Sequence, residues 1–217
     1  MDRATVARLL EEMARLQEAH NVEVAADWRT RDFPYYRAIW VECAELLDHF
    51  GWKWWKHQET DEEQVRLELV DIWHFGLSLL LRDGGFDDGL VDRFHRAAGQ
   101  RRDRARFRED VEALATEALA RRRFSVDAFL ACTNSLGLSL EDLYRAYVGK
   151  NVLNNFRQHQ GYARGAYRKD WAGREDNAHL MELVRTLDPE APDFAEALYG
   201  ALERRYAESF PPSSSAS

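Results

Sequence analysis

The sequence predicts an all-α fold on three observations. Apolar residues recur three and four apart over long stretches, capping and stop signals bound those stretches, and no run alternates as a half-buried strand would. The first helix is expected over residues 4–20, where Val6, Leu9, Leu10, Met13 and Leu16 form one stripe. Residues 27–34 read as a loop. A second helix starts at Pro34 or Tyr35, since proline is tolerated in a first turn, and runs to Phe50, where Gly51 can stop it. The aromatic block Trp52-Lys53-Trp54-Trp55-Lys56 follows, then a polar turn over 59–62. A third helix covers about 63–81, closed by Asp83-Gly84-Gly85.

Beyond residue 86 the character changes. The run QRRDRARFRED mixes charges densely with few apolar positions, the pattern of a solvated helix face. Ser125 and Ser139 are capping serines that open further helices, the second carrying Leu143, Tyr144, Tyr147, Val148, Val152, Leu153 and Phe156. The polar segment 161–177 precedes the last helices, and residues 211–217, PPSSSAS, are a low-complexity tail expected to be disordered. No internal repeat of fixed period is present.

With 217 residues and 45% hydrophobic content, the chain can bury one large core with an appended lobe. Its net charge of −8 argues against a nucleic-acid binder, so a polyanionic substrate would have to be attracted locally by metal and a few cationic side chains. Cys43 and Cys132 make neither a disulfide framework nor a zinc spacing, and Cys43 reads as a small buried hydrophobe. The first residues are amphipathic and charged, and no apolar run of about 18 residues occurs; the expectation is a cytoplasmic protein with no membrane partner.

The chemistry is concentrated in two acidic pairs. Glu42 and Glu45 lie in the second expected helix, Glu68 and Asp71 in the third, and residues three apart share a helical face. The flanks Ile39, Val41, Cys43, Leu46, Leu69, Val70, Ile72 and Trp73 leave little polar face around them, so a set of exposed i,i+4 carboxylates is the weaker reading. Four carboxylates among apolar helices repel one another or take up protons unless hard divalent cations neutralise them, and Mg2+ is the expected ion. Mg2+ held by carboxylates usually serves phosphates. Cleaving a phosphoanhydride needs an activated water and charge neutralisation, which two or more Mg2+ ions supply; one carboxylate, with Glu45 preferred, orients or deprotonates the water.

Taken in order, Gln17/Asn21, ECAE, WKWWK, ELVDIWHF, KNVLNNFRQHQGY, YRKDW and GREDN resemble the dimeric, all-α dUTPases of the all-α NTP pyrophosphohydrolase superfamily, over residues from about 9 to 180. The acidic pairs alone suit any branch of that superfamily; the WKWWK and KNVLNNFRQ blocks narrow it. The resemblance implies a helical-bundle core with a mobile helical second lobe: one all-α domain over 1–210, with rigid metal-binding helices over about 4–82 and the mobile lobe over about 86–180. It implies a homodimer, Mg2+-dependent hydrolysis of dUTP to dUMP and pyrophosphate, and cleavage of dUDP as well.

Base recognition must read the uracil edge, because mismatched donors and acceptors would be buried unpaired. Gln17 and Asn21 stand where the resemblance places base-contacting residues; without it, capping or surface roles would serve them as well. Phe75, four residues past Asp71, can stack on the base or be plain core, and His74 lies near the same face or is a satisfied core or rim histidine. One tryptophan of the WKWWK block, Trp54 among the candidates, closes the base pocket by resemblance. Lys150, Asn154 and Arg157 recur at helical spacing, and the resemblance assigns Asn154 to the 3′-hydroxyl and Lys150, Tyr162, Lys169 and Asn177 to ribose and phosphate. The alternatives are a dCTP or broader NTP pyrophosphohydrolase, and a non-catalytic nucleotide-binding helical protein.

Overall fold

The computed structural model describes residues 1–188, 191 and 193–210; the expected disordered tail, 211–217, lies outside them. The all-α expectation holds. Nine α-helices are accompanied, among the described residues, by one small β-hairpin. The chain divides into two compact units, Met1–Tyr147 and Val148–Ser217.

The first unit begins with α1 (Arg3–Val24), whose N-cap Asp2 accepts a bond from the Thr5 amide. Its buried stripe starts apolar, with Val6, Leu9, Leu10 and Met13, and continues polar, with Gln17 and Asn21. The change of chemistry along one face puts two amides where a core residue would normally stand. α2 (Tyr35–Phe50) ends at Gly51, and α3 (Glu62–Asp83) is capped by Asp61 at one end and by left-handed Gly84 at the other. α3 is the central element. Val65, Leu67, Leu69, Val70, Ile72, Trp73, Leu77, Leu79 and Leu80 bury it on several sides, and Glu68, His74 and Ser78 are buried with them.

α2 packs against α3 and α5 (Phe107–Arg121), α1 against α3 and α4 (Asp88–Ala97), and α6 (Val126–Leu136) against α4 and α5. The Trp73 ring is surrounded by Phe94, Phe124 and Phe129 at 5.3, 5.8 and 5.3 Å, and its indole N–H lies 3.3 Å from Met13 Sδ. Gly76 is required here: a Cβ would come within 2.6 Å of the Phe124 ring. Gly76→Ala is therefore expected to lower stability by about 1–3 kcal/mol through overpacking, despite a helix-propensity gain of about 1 kcal/mol. Urea titration of the two proteins measures it.

The unit boundary falls inside α7 (Leu140–His159). The second unit holds the rest of that helix, a hairpin of β1 (Asp170–Trp171) and β2 (Arg174–Glu175), α8 (Asp176–Thr186) and α9 (Phe194–Ser209). Ala172 and Gly173, both with positive φ, make its two-residue turn. Phe156 is the hub of this core, with the rings of Tyr167, Trp171, Tyr199 and Tyr206 around it at 5.5–6.2 Å. No helix among the described residues is long and apolar enough to cross a membrane.

Candidate functional site

α2 and α3 lie side by side and bring carboxylates from both together. Oxygens of Glu42, Glu68 and Asp71 all lie within 4.8 Å of one another. Glu68 is only 6% exposed, while Glu42 and Asp71 are half-buried. Glu45 is exposed and stands outside this trio, although its charge still reaches Glu42. The Glu42 carboxyl is pushed up to about 9, first by burial, then by the Asp71 charge, its hydrogen bond with Glu68 and the charges of Glu68 and Glu45. At neutral pH it keeps its proton. Three carboxylates crowded this closely relieve their repulsion by holding a proton or by sharing a cation.

Beside the trio on α1 and α3 is a buried polar network. Gln17 and Asn21 are four apart on α1, His74 and Ser78 four apart on α3, so each pair stacks along one face. Gln17 Nε2 donates to Asn21 Oδ1 at 3.0 Å, and Asn21 Nδ2 donates to Ser78 Oγ at 3.0 Å. Gln17 Oε1 faces His74 Nδ1 at 2.7 Å and the Tyr147 hydroxyl at 2.8 Å, while the His74 ring stacks on Tyr147 with centroids 4.2 Å apart. Gln17 and Asn21 are thus interior residues and not surface or capping ones. Tyr147 and Ser78 are members that sequence reasoning missed; the four-residue spacing from His74 is the signal by which Ser78 could have been found.

Phe75 is half-buried, its ring 6.4 Å from that of Tyr35. The WKWWK block forms a loop held by Asp48, which accepts from Trp52 Nε1 and Lys53 Nζ at 3.0 Å each, and by Gln58 Oε1, which accepts from the Trp52 and Lys53 amides. Trp54 is 90% exposed, its ring edge-to-face with that of Trp55 at 5.4 Å. The charged run after residue 100 is mostly exposed, but only its end lies in α5 and its partners differ in place: Arg102 binds the buried Asp110, Arg106 binds Glu109, and Arg104 reaches Glu62 on α3. A cavity of about 400 Å³ lined by Arg93, Arg96, Arg101 and Arg102 shares no residue with the carboxylate trio.

In the second unit the predicted cationic block is organised around Asp176, which is fully buried. Arg157 grips both its oxygens at 2.8 Å and Tyr167 donates to it at 2.8 Å. Burial works to raise the Asp176 pKa, but the hydrogen bonds and charge of Arg157, the Tyr167 hydroxyl and the Lys169 charge together outweigh it and hold the carboxyl below its ordinary value. The same guanidinium donates to Asn154 Oδ1 at 3.0 Å, and buried Lys150 donates to Asn177 Oδ1 at 3.0 Å. Arg157 also donates to Asn177 Oδ1 at 3.4 Å, so Lys150, Asn154, Arg157 and Asn177 form one network. Tyr162 and Lys169 stay exposed outside it.

Among known proteins, a family model described as dUTPase matches residues 9–162. No curated protein matches the chain. The matched span contains both acidic pairs, the Gln17 to His74 network and the WKWWK loop. The chain accordingly belongs to the all-α, dimeric dUTPase family and is a dUTP diphosphatase, an enzyme that hydrolyses a nucleotide substrate.

Proposed function

We propose that the enzyme is Mg2+-dependent, that Glu42, Glu45, Glu68 and Asp71 hold two or more ions, and that it converts dUTP to dUMP and pyrophosphate and dUDP to dUMP and phosphate. The observation that carries the reading is the carboxylate trio: all-oxygen donors within 4.8 Å suit a hard divalent cation, and the crowding that adds to burial in raising the Glu42 carboxyl is what such a cation relieves. Mg2+ bound there supplies charge neutralisation at the phosphates and a more acidic water. Glu45 accepts the proton of the attacking water in this reading, which its exposure and its position outside the trio support.

Gln17 and Asn21 present hydrogen-bonding groups to the uracil edge, with His74 holding Gln17, while Phe75 stacks on the base and Trp54 shields it. In the second unit Lys150, Asn154, Tyr162, Lys169 and Asn177 contact ribose and phosphates. Arg157, gripped by Asp176, sets the position of Asn154 and supplies charge. A nucleotide that recruits these residues would protect 148–178 from hydrogen exchange, a part of the proposed mobile lobe over about 86–180. Trp40 and Val41, 44% and 40% exposed beside Glu42 on α2, support a homodimer. Two buried free cysteines, with the Cys43 thiol pushed up to about 12 by burial and then by Glu42, suit a reducing cytoplasmic setting.

Hydrolysis in oxygen-labelled water tests the reaction. Attack at the β-phosphorus makes dUMP the leaving group and puts the label in pyrophosphate; label in dUMP, or failure to cleave dUDP, rejects it. Comparable rates on dCTP would favour the broader pyrophosphohydrolase.

The metal site has a pH signature. Glu42 stays protonated in the metal-free fold up to about 9 but ionises at its ordinary value when unfolded, so the metal-free fold loses stability as pH rises through that window. Mg2+ must displace that proton. Calorimetry in buffers of different ionisation enthalpy should show release of about one proton at neutral pH, falling away as pH passes about 9.

A further inference from the structure

On α2, His49 follows Glu45 by four residues and Glu42 by seven, which returns it to the same helical face. Its Nε2 lies 3.6 Å from Glu68 Oε1 on α3, with the imidazole 37% exposed and the carboxylate 8%. That separation is too long for a hydrogen bond. Two donors that share one cation, each bonded at about 2.1 Å, stand about 3.0–3.5 Å apart, so a small rotation of the ring would seat both. His49 is not a member of the trio of Glu42, Glu68 and Asp71, and so marks a neighbouring position that has Glu68 in common with it. A neutral imidazole also adds a ligand without adding negative charge where three carboxylates already crowd.

Resting on the metal reading above, we propose that His49 is a metal ligand of this enzyme, at a second cation position shared with Glu68, and that it tunes this position toward nitrogen-accepting divalent cations such as Mn2+ and Co2+ over Mg2+. Mg2+ keeps to oxygen donors, whereas imidazole suits the later first-row cations. The enzyme would then hold unlike cations in adjacent positions.

The test loads the full chain with Mn2+, without nucleotide, and reads electron spin-echo envelope modulation. The expected spectrum carries directly bonded 14N, changes on 15N-histidine labelling, and loses the nitrogen signal in His49→Ala. Calorimetry of the same pair should show Mn2+ affinity falling at least about tenfold while Mg2+ affinity changes little. Bound Mn2+ with no nitrogen coupling, or coupling that persists in His49→Ala, overturns the proposal and leaves the carboxylate reading standing. A chain that binds neither Mn2+ nor Mg2+ overturns both.

Discussion

Glu68→Gln is expected to cut dUTP turnover by at least about a hundredfold, the loss that follows when a metal-binding centre is disrupted, while helix content stays unchanged. Glu68 joins the trio with Glu42 and Asp71 and is the most buried of the three. Glutamine keeps its volume and removes its charge. In the absence of metal the variant should be at least as stable as the parent, because one source of repulsion around Glu42 is gone. Mg2+ calorimetry, circular dichroism and a turnover assay on the same preparation separate loss of the site from loss of the fold. Near-normal Mg2+-dependent turnover by the variant would refute the assignment of Glu68 as a ligand.

Asp176→Ala is expected to be the most damaging single change in the second unit. It takes the bidentate carboxylate from the Arg157 guanidinium, whose side chain is 11% exposed, and breaking a buried ion pair in this way costs about 3–5 kcal/mol. It also removes the acceptor of Tyr167. Urea unfolding gives the size of the loss, and hydrogen exchange over 148–188 should show where it falls. The pH dependence is opposite in sign to that of Glu42. The Asp176 pKa is lowered in the folded chain, so its contribution is present above the ordinary carboxylate value and disappears as pH falls through the folded one. A variant as stable as the parent would show that Arg157 finds another partner.

The helices that carry the acidic pairs and the two buried amides were legible because each is long and well punctuated: Asp61 and Gly84 bound α3, Gly51 ends α2, and the stripe of α1 repeats over many turns. α4 was hidden. It has ten residues, and its buried Leu90, Val91 and Phe94 are scattered among charges. The hairpin that carries Trp171 has strands of two residues, too short for any alternation to register. Spacing placed Glu42 and Glu45 on one face but could not say how far that face turns toward α3, which is what leaves Glu45 outside the trio. Tyr147 was beyond reach for another reason: its contact with Gln17 spans 130 residues of sequence. The engagement of Arg157 by Asp176 was equally invisible, since a guanidinium bound to its own protein and one awaiting a phosphate have the same sequence pattern.

The amides behind the proposed base site carry a sense of direction. The Ser78 hydroxyl donates its one proton to the His74 carbonyl oxygen at 3.0 Å, so its oxygen accepts from Asn21 Nδ2 and gives that amide one orientation. That orientation turns Asn21 Oδ1 toward Gln17 Nε2 and so leaves Gln17 Oε1 to face His74 Nδ1 and the Tyr147 hydroxyl. Each residue inherits its polarity from the one before. Ser78→Ala would therefore act on Gln17 without touching it, by removing the group that settles which way Asn21 points. Uracil and cytosine differ by an exchange of acceptor for donor at nearly constant outline, and a wall with a single sense can tell them apart where a mould could not.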